Sequence, residues 1–240
     1  MTRVWPIFKR EFGGYWNSLM AYFFLVLLLG AIGFVYVWLS LFRTLNAEMT
    51  DYFTFFKIAL WLFIPAITMR MWSEEKKLGT LELMMTMPVK DSEAVIGKFL
   101  ASFAFLIITL LLSMATIPTA LSYAGDPDWG PIIGGYLGLL FMGGAFIAVG
   151  LAISSMTENQ FIAFILSSII CLLLLAVGEL VMLAPLPGFV TGLINWADAG
   201  THFESIGRGV IDSRDVVYYL SVICFFLFLN YRSVTARRWK

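Results

Sequence analysis

Residues 74–89 read EEKKLGTLELMMTMPV, the densest run of charge in a chain that is otherwise mostly apolar. The run sits between two long hydrophobic stretches, and its reading decides what those stretches are. Of the 240 residues 60% are hydrophobic and only 13% charged, and the mean hydropathy is +0.86. These values lie outside the range of water-soluble domains and predict a membrane protein. A helix needs about 20 apolar residues to cross a bilayer, because no water is there to satisfy an irregular backbone. Stretches of that kind occur at 19–42, 52–72, 99–123, 131–154, 161–183 and 216–231. The pattern predicts an all-α integral membrane fold of six transmembrane helices, with 73–97 as the loop between spans two and three. The last stretch is the shortest, and Tyr218, Tyr219 and Tyr231 bracket it as interfacial aromatics do.

The distribution of charge orients the spans. With both termini on the cytoplasmic side, Arg3, Lys9, Arg10, Arg70, Lys76, Lys77, Lys90, Lys98, Arg232, Arg237, Arg238 and Lys240 fall inside. Only Arg43, Lys57, Arg208 and Arg214 of the 16 basic residues are left outside, the bias that cytoplasmic loops show. The loop holding Asp126 and Asp128 is purely acidic and falls outside. Acids and bases balance at 16 each, so net charge points to no nucleic-acid partner.

Before the first span, Val4, Trp5, Phe8, Phe12, Trp16 and Leu19 recur at about helical period with bases between them. Residues 1–18 therefore read as an amphipathic helix in the inner interface, broken from span one at Gly13-Gly14; the alternative is the frayed start of span one. No small-x-small cleavage site follows the first span, so it is expected to be retained. With no internal repeat and no linker, 1–240 reads as a single membrane domain.

Little in the chain carries chemistry. Gly97-Lys98 lacks the upstream glycine and the following Ser or Thr of a phosphate loop, so no ATP site of that kind is expected and no cofactor is assigned. His202, the single histidine, reads as an exposed or interfacial loop residue. Cys171 and Cys224 read as packing or lipid-facing residues. Glu179 is the only carboxylate within the predicted spans, a costly placement that marks either a functional group or one near enough the outer end to reach water. Lys57, near the outer end of span two, is expected to snorkel. In span four Gly134, Gly138, Gly144 and Ala148 form a stripe of small residues for close helix packing. Pro65 and Pro118 mark kinks.

The loop itself has an apolar stripe, Leu78, Leu81, Met84 and Met85, ended by Pro88, after which Asp91 reads as the N-cap of the third span. This describes either a short helix held against the membrane on rigid stems or a solvated loop whose lysines set topology.

The run from Trp72 to Val89, followed by Gly97-Lys98, resembles the E-x(2-3)-G-T-x-E-x-L-x-x-x-P-[VI] pattern of ABC-2 type permeases, and is most similar to the short gliding-motility type. Residues 203–216, FESIGRGVIDSRDV, carry a second likeness ahead of the last span. The resemblance implies a permease subunit of an ATP-binding-cassette exporter in a bacterial inner membrane, not itself an enzyme. It would pair with a second permease, identical or related, and with two copies of a P-loop ATPase that bind ATP and Mg. It makes 79–89 a coupling helix docked on that ATPase, with Glu74, Glu75, Gly79, Thr80, Leu81, Glu82, Met85 and Pro88 at the dock. It makes 185–215 an outer-face loop with short re-entrant helices, and Glu179, Phe189, Trp196 and Phe203 residues of a pathway or outer gate. A non-transporting scaffold is a second reading. A third is an intramembrane lipid-modifying enzyme built on Glu179, Asp198, His202, Glu204 and Asp212.

Overall fold

A computed structural model describes residues 3–36, 38, 49–81, 90–115, 129–182, 192, 196–210 and 212–237. The longer elements are helices: α1 Val4–Trp16, α2 Leu19–Tyr36, α3 Thr50–Thr68, α4 Arg70–Lys77, α5 Asp91–Ser113, α6 Trp129–Met156, α7 Gln160–Met182, α8 Ala199–Gly207 and α9 Ser213–Arg237. Among the described residues there is no strand. Five helices are long and apolar enough to span a bilayer, α3 and α4 counting as one 28-residue helix, and the α1–α2 pair makes up to six if read as one bent span. The expectation of an all-helical, multi-spanning fold therefore holds. At the sixth span, α9 runs 25 residues, beyond both predicted ends. Tyr218 and Tyr219 at its start are buried, and Ser233 and Thr235 at its end hydrogen-bond to other helices, so packing extends the helix past the apolar stretch.

Helix α6 is the axis of the bundle and packs against α3, α4, α5, α7, α8 and α9. It is apolar on every side because every side is covered, and 78% of its most apolar window is buried. Its glycines admit those neighbours. A Cβ on Gly135 would stand 2.5 Å from the Phe53 ring, one on Gly143 would stand 2.5 Å from Leu106, and one on Gly150 would stand 2.0 Å from Thr68 Oγ1. Close backbone approach of this kind is what packs helices where lipid supplies no hydrophobic drive.

The helix ends sort into two groups. Ile7 lies on Gly97, Ser233 Oγ donates to the Ser155 carbonyl and Thr235 Oγ1 to Asp91. The N-terminal helix, α4, the start of α5 and the ends of α6 and α9 thus share one end, called the near end below. Tyr52, Ser113 and Tyr136 meet at the far end, together with α8.

Two local expectations change. Helix α1 runs through Gly13 and Gly14, and the chain turns instead at Asn17, whose N–H donates to the Gly13 carbonyl. The bend to α2 is 66°. Packing on α5 overrides the low helix propensity of the glycines: the Tyr15 hydroxyl meets Ser102 Oγ at 2.9 Å and its ring stacks on Phe105 at 4.8 Å. At the start of α5 the cap is Lys90, not Asp91. The Lys90 N–H donates to Glu93 Oε2 at 3.2 Å, so Glu93 satisfies the free donor from three residues on and Asp91 is already helical.

Candidate functional site

The charged stretch begins as a continuation of span two. Helix α3 ends at Met69, whose N–H donates to the Pro65 carbonyl at 2.9 Å. The groups freed at the break find one partner on α6. Ser154 Oγ donates to the Met69 carbonyl at 2.9 Å and accepts from the N–H groups of Trp72 at 3.1 Å and Ser73 at 3.2 Å. Ser73 Oγ also donates to the Met69 carbonyl. Helix α4 then carries Glu74, Glu75, Lys76 and Lys77 outward. The Lys76 ammonium caps α6 at the Ser155 carbonyl, favourable at a helix C-terminus. Gly79 at φ 71° turns the chain off α4, a position where only glycine escapes the Cβ penalty. Thr80 Oγ1 donates back to the Glu75 carbonyl.

Glu75 is the contact hub of this stem. Its carboxylate lies 3.0 Å from the Lys98 ammonium and 2.8 Å from the Arg10 guanidinium. Lys98 also reaches Glu11 at 3.2 Å, donates to the Met71 carbonyl at 2.8 Å and stands 4.8 Å above the Trp72 ring. Arg10 binds Glu11 as well. The two acids and two bases make a closed, neutral group joining α1, α4 and α5. Burial alone would raise the Glu11 carboxyl, but Lys98 and then Arg10 outweigh it and hold it below its usual value. Burial likewise opposes the charge on Arg10, and Glu11 and Glu75 reverse this and raise its value. A cleft of about 340 Å³ opens beside the group, lined in part by Glu11, Arg70, Glu74 and Glu75. Beyond the stem, Leu78 is 67% exposed and Leu81 only 5%. Glu82, Met85 and Pro88 lie outside the described residues.

At the far end α8 is strapped between α3, α6 and α9. Phe203 is buried on Gly138, where a Cβ would stand 2.9 Å from its ring, and one on Gly134 would stand 2.2 Å from the Ile206 carbonyl. Gly209, at φ 85°, lies against Gly130. Lys57 does not snorkel: it is buried, 3.6 Å from Glu204 and 5.7 Å from the centre of the Phe203 ring. His202 is not an exposed loop residue either. It lies in α8, stacked on Tyr218 at 4.1 Å, with Nδ1 2.6 Å from Asp215 Oδ1 and Nε2 3.0 Å from the Trp196 carbonyl. Both ring nitrogens thus face acceptors, one on α9 and one on the backbone ahead of α8. Asp198 caps α8 by accepting from the Thr201 N–H at 2.9 Å, and its carboxylate occupies the space beside Gly178 of α7.

Phe203, Gly134 and Gly138 thus come together, with Trp196 nearby against Tyr218 but 66% exposed. Gly144 faces another way, towards Phe103 and Ile223, and Ala148 is fully buried. Phe189 lies outside the described residues, and Glu179 is described only as a backbone position in α7. Arg10, Glu11, Lys98 and Ser154 were not singled out as site residues from the sequence. Lys98 had a signal: a cation directly abutting an apolar run must find a partner or water. Among the described residues no group of three His, Cys, Asp or Glu is placed to hold a metal.

The bundle defines a polytopic helical membrane protein. The family model described as "ABC-2 family transporter protein" matches residues 44–198, and the chain belongs to that family. It is a transmembrane permease subunit of an ABC transporter. No curated protein matches it.

Proposed function

We propose that the chain is the membrane half of an ATP-driven exporter, acting as a dimer with itself or a related permease, of the short gliding-motility kind. Two P-loop ATPase subunits, which bind the ATP and Mg, would dock on residues 79–89 and their exposed neighbour Leu78. The near end then faces the cytoplasm of a bacterial inner membrane. The observation that carries this reading is the α3–α4 helix, 28 residues long. It emerges from the bundle as a stem fixed by Ser154, Lys98 and Arg10 and delivers the Gly79 turn to solvent. A partner pressing on that turn acts on a stem that Ser154 braces at the α3–α4 junction and that α3 continues to the far end, where Lys57 meets Glu204 of α8. Such coupling needs two states in which the ATPase makes different contacts.

Leu81 is too buried to report docking alone, since a charge there would damage the fold as well. Leu78 is the cleaner probe. A charge buried in an apolar dock costs several kcal/mol, about a hundredfold or more in binding. Tagged wild type and Leu78→Asp, expressed at matched membrane levels, are purified and assayed for co-purifying ATP hydrolysis. The wild type should bring down activity that the variant loses at least tenfold, with unchanged yield and monodispersity. Hydrolysis by the chain freed of every other subunit, or full retention in the variant, refutes the reading.

A further inference from the structure

Lys98 is 0% exposed, yet every group that holds it belongs to a helix other than its own. Glu11 comes from α1, and the Met71 carbonyl, the Trp72 ring and Glu75 come from α4. Buried ion groups stabilise poorly compared with apolar packing of the same volume, and their best-attested use is to fix how elements register against one another. The neighbouring joints show the apolar alternative: α1 meets α5 through Ile7 on Gly97 and Tyr15 on Phe105. Between α1 and α4 one such contact is present, the Tyr15 hydroxyl on Met71 Sδ at 3.5 Å, and the shorter contacts are charged: Glu75 lies 2.8 Å from Arg10, and Lys98 bridges Glu11 and Glu75. Helix α1 packs along α5 while α4 packs along α6, and the cleft beside Glu11 and Glu75 separates them. Along this cleft the charged groups therefore make most of the direct connection between the two helices.

We propose that Lys98 is a positioning residue, whose buried cation sets where the α4 stem stands relative to α1 and α5. A displacement of the docking segment then moves the interfacial helix and the third span together. The consequence for transport rests on the reading that 78–89 docks on an ATPase; the positioning itself does not.

The test uses the full chain alone in lipid nanodiscs, so it stands whether or not an ATPase binds. In a Cys171→Ala, Cys224→Ser background, spin labels go on Lys9→Cys of α1 and Leu78→Cys beyond α4, both exposed, and the distance distribution is read by EPR. The wild type should give one narrow distribution. Lys98→Met and Glu75→Gln should at least double its width, and Lys98→Arg, which keeps the cation, should remain narrow. Glu75→Gln changes almost no volume, so it decides the matter alone if Lys98→Met is not monodisperse. A wild-type width in Glu75→Gln, or a Lys98→Arg as broad as Lys98→Met, means that packing and not charge sets the spacing, and the proposal fails.

Discussion

Glu11 makes the near-end group sensitive to acid. Its folded value is lowered by Lys98 and Arg10 against the opposing pull of burial. A carboxylate with a depressed folded value contributes stability above its unfolded value and loses it as pH falls through the folded one. The contribution is therefore whole at neutral pH and disappears below the ordinary value of 4.5. Thermal unfolding of the detergent-solubilised chain between pH 7 and 3.5 should show wild type above Glu11→Gln at neutral pH, with the two curves converging in acid. A constant offset would mean that the charge on Glu11 is not what stabilises. His202 makes a second prediction at this scale. His202→Phe keeps the stack on Tyr218 but leaves the Asp215 carboxylate, 7% exposed, without its partner. Leaving a buried acceptor without its donor costs about 1–3 kcal/mol, so the apparent Tm should fall, and His202→Phe with Asp215→Leu should recover most of the loss.

Between elements, the α3–α4 junction carries the most concentrated polar contact. One Ser154 hydroxyl serves a carbonyl and two N–H groups of another helix, whereas the Ser155 hydroxyl donates only to Ala152 within its own. Leaving buried backbone groups unsatisfied costs about 1–3 kcal/mol. Ser154→Ala should therefore destabilise by that order while Ser155→Ala changes stability by a few tenths, both read from unfolding in mild detergent. The elements themselves were largely legible in the sequence, because span length and hydropathy are local properties that a bilayer makes compulsory. What lay hidden was pairing across distance. Lys98 with Glu11, Lys57 with Glu204 and His202 with Asp215 join residues on different helices, and composition alone read the last two as a snorkelling lysine and a loop histidine. Gly13-Gly14 misled for the same reason: propensity favours a break there, and contacts with α5 decide against it. The small-residue stripe of α6 was visible, but its division between α8 at Gly134 and Gly138 and other helices at Gly144 depends on neighbours that a single helix does not name.

Across the whole molecule, the same asymmetry of charge that suggested an orientation is built into the structure. The near end gathers Arg10, Arg70, Lys76, Lys98 and the basic end of α9, while the far end holds Lys57, paired with Glu204, and Arg208 and Arg214 beside α8 and at the start of α9. Basic residues near span ends resist translocation, and acids contribute little to that bias, so the near end should stay in the cytoplasm. Two exposed positions report it: Leu78 beyond α4 and Trp196 before α8, at 67% and 66%. In the cysteine-free background, a membrane-impermeant maleimide applied to spheroplasts should label Trp196→Cys and spare Leu78→Cys until the membrane is permeabilised. Labelling of Leu78→Cys from outside would invert the molecule, place the Gly79 turn out of reach of any cytoplasmic ATPase, and remove the docking reading with it. Labelling of neither before permeabilisation would leave the cytoplasmic dock standing and show instead that the residues ahead of α8 are shielded by lipid or by a second subunit.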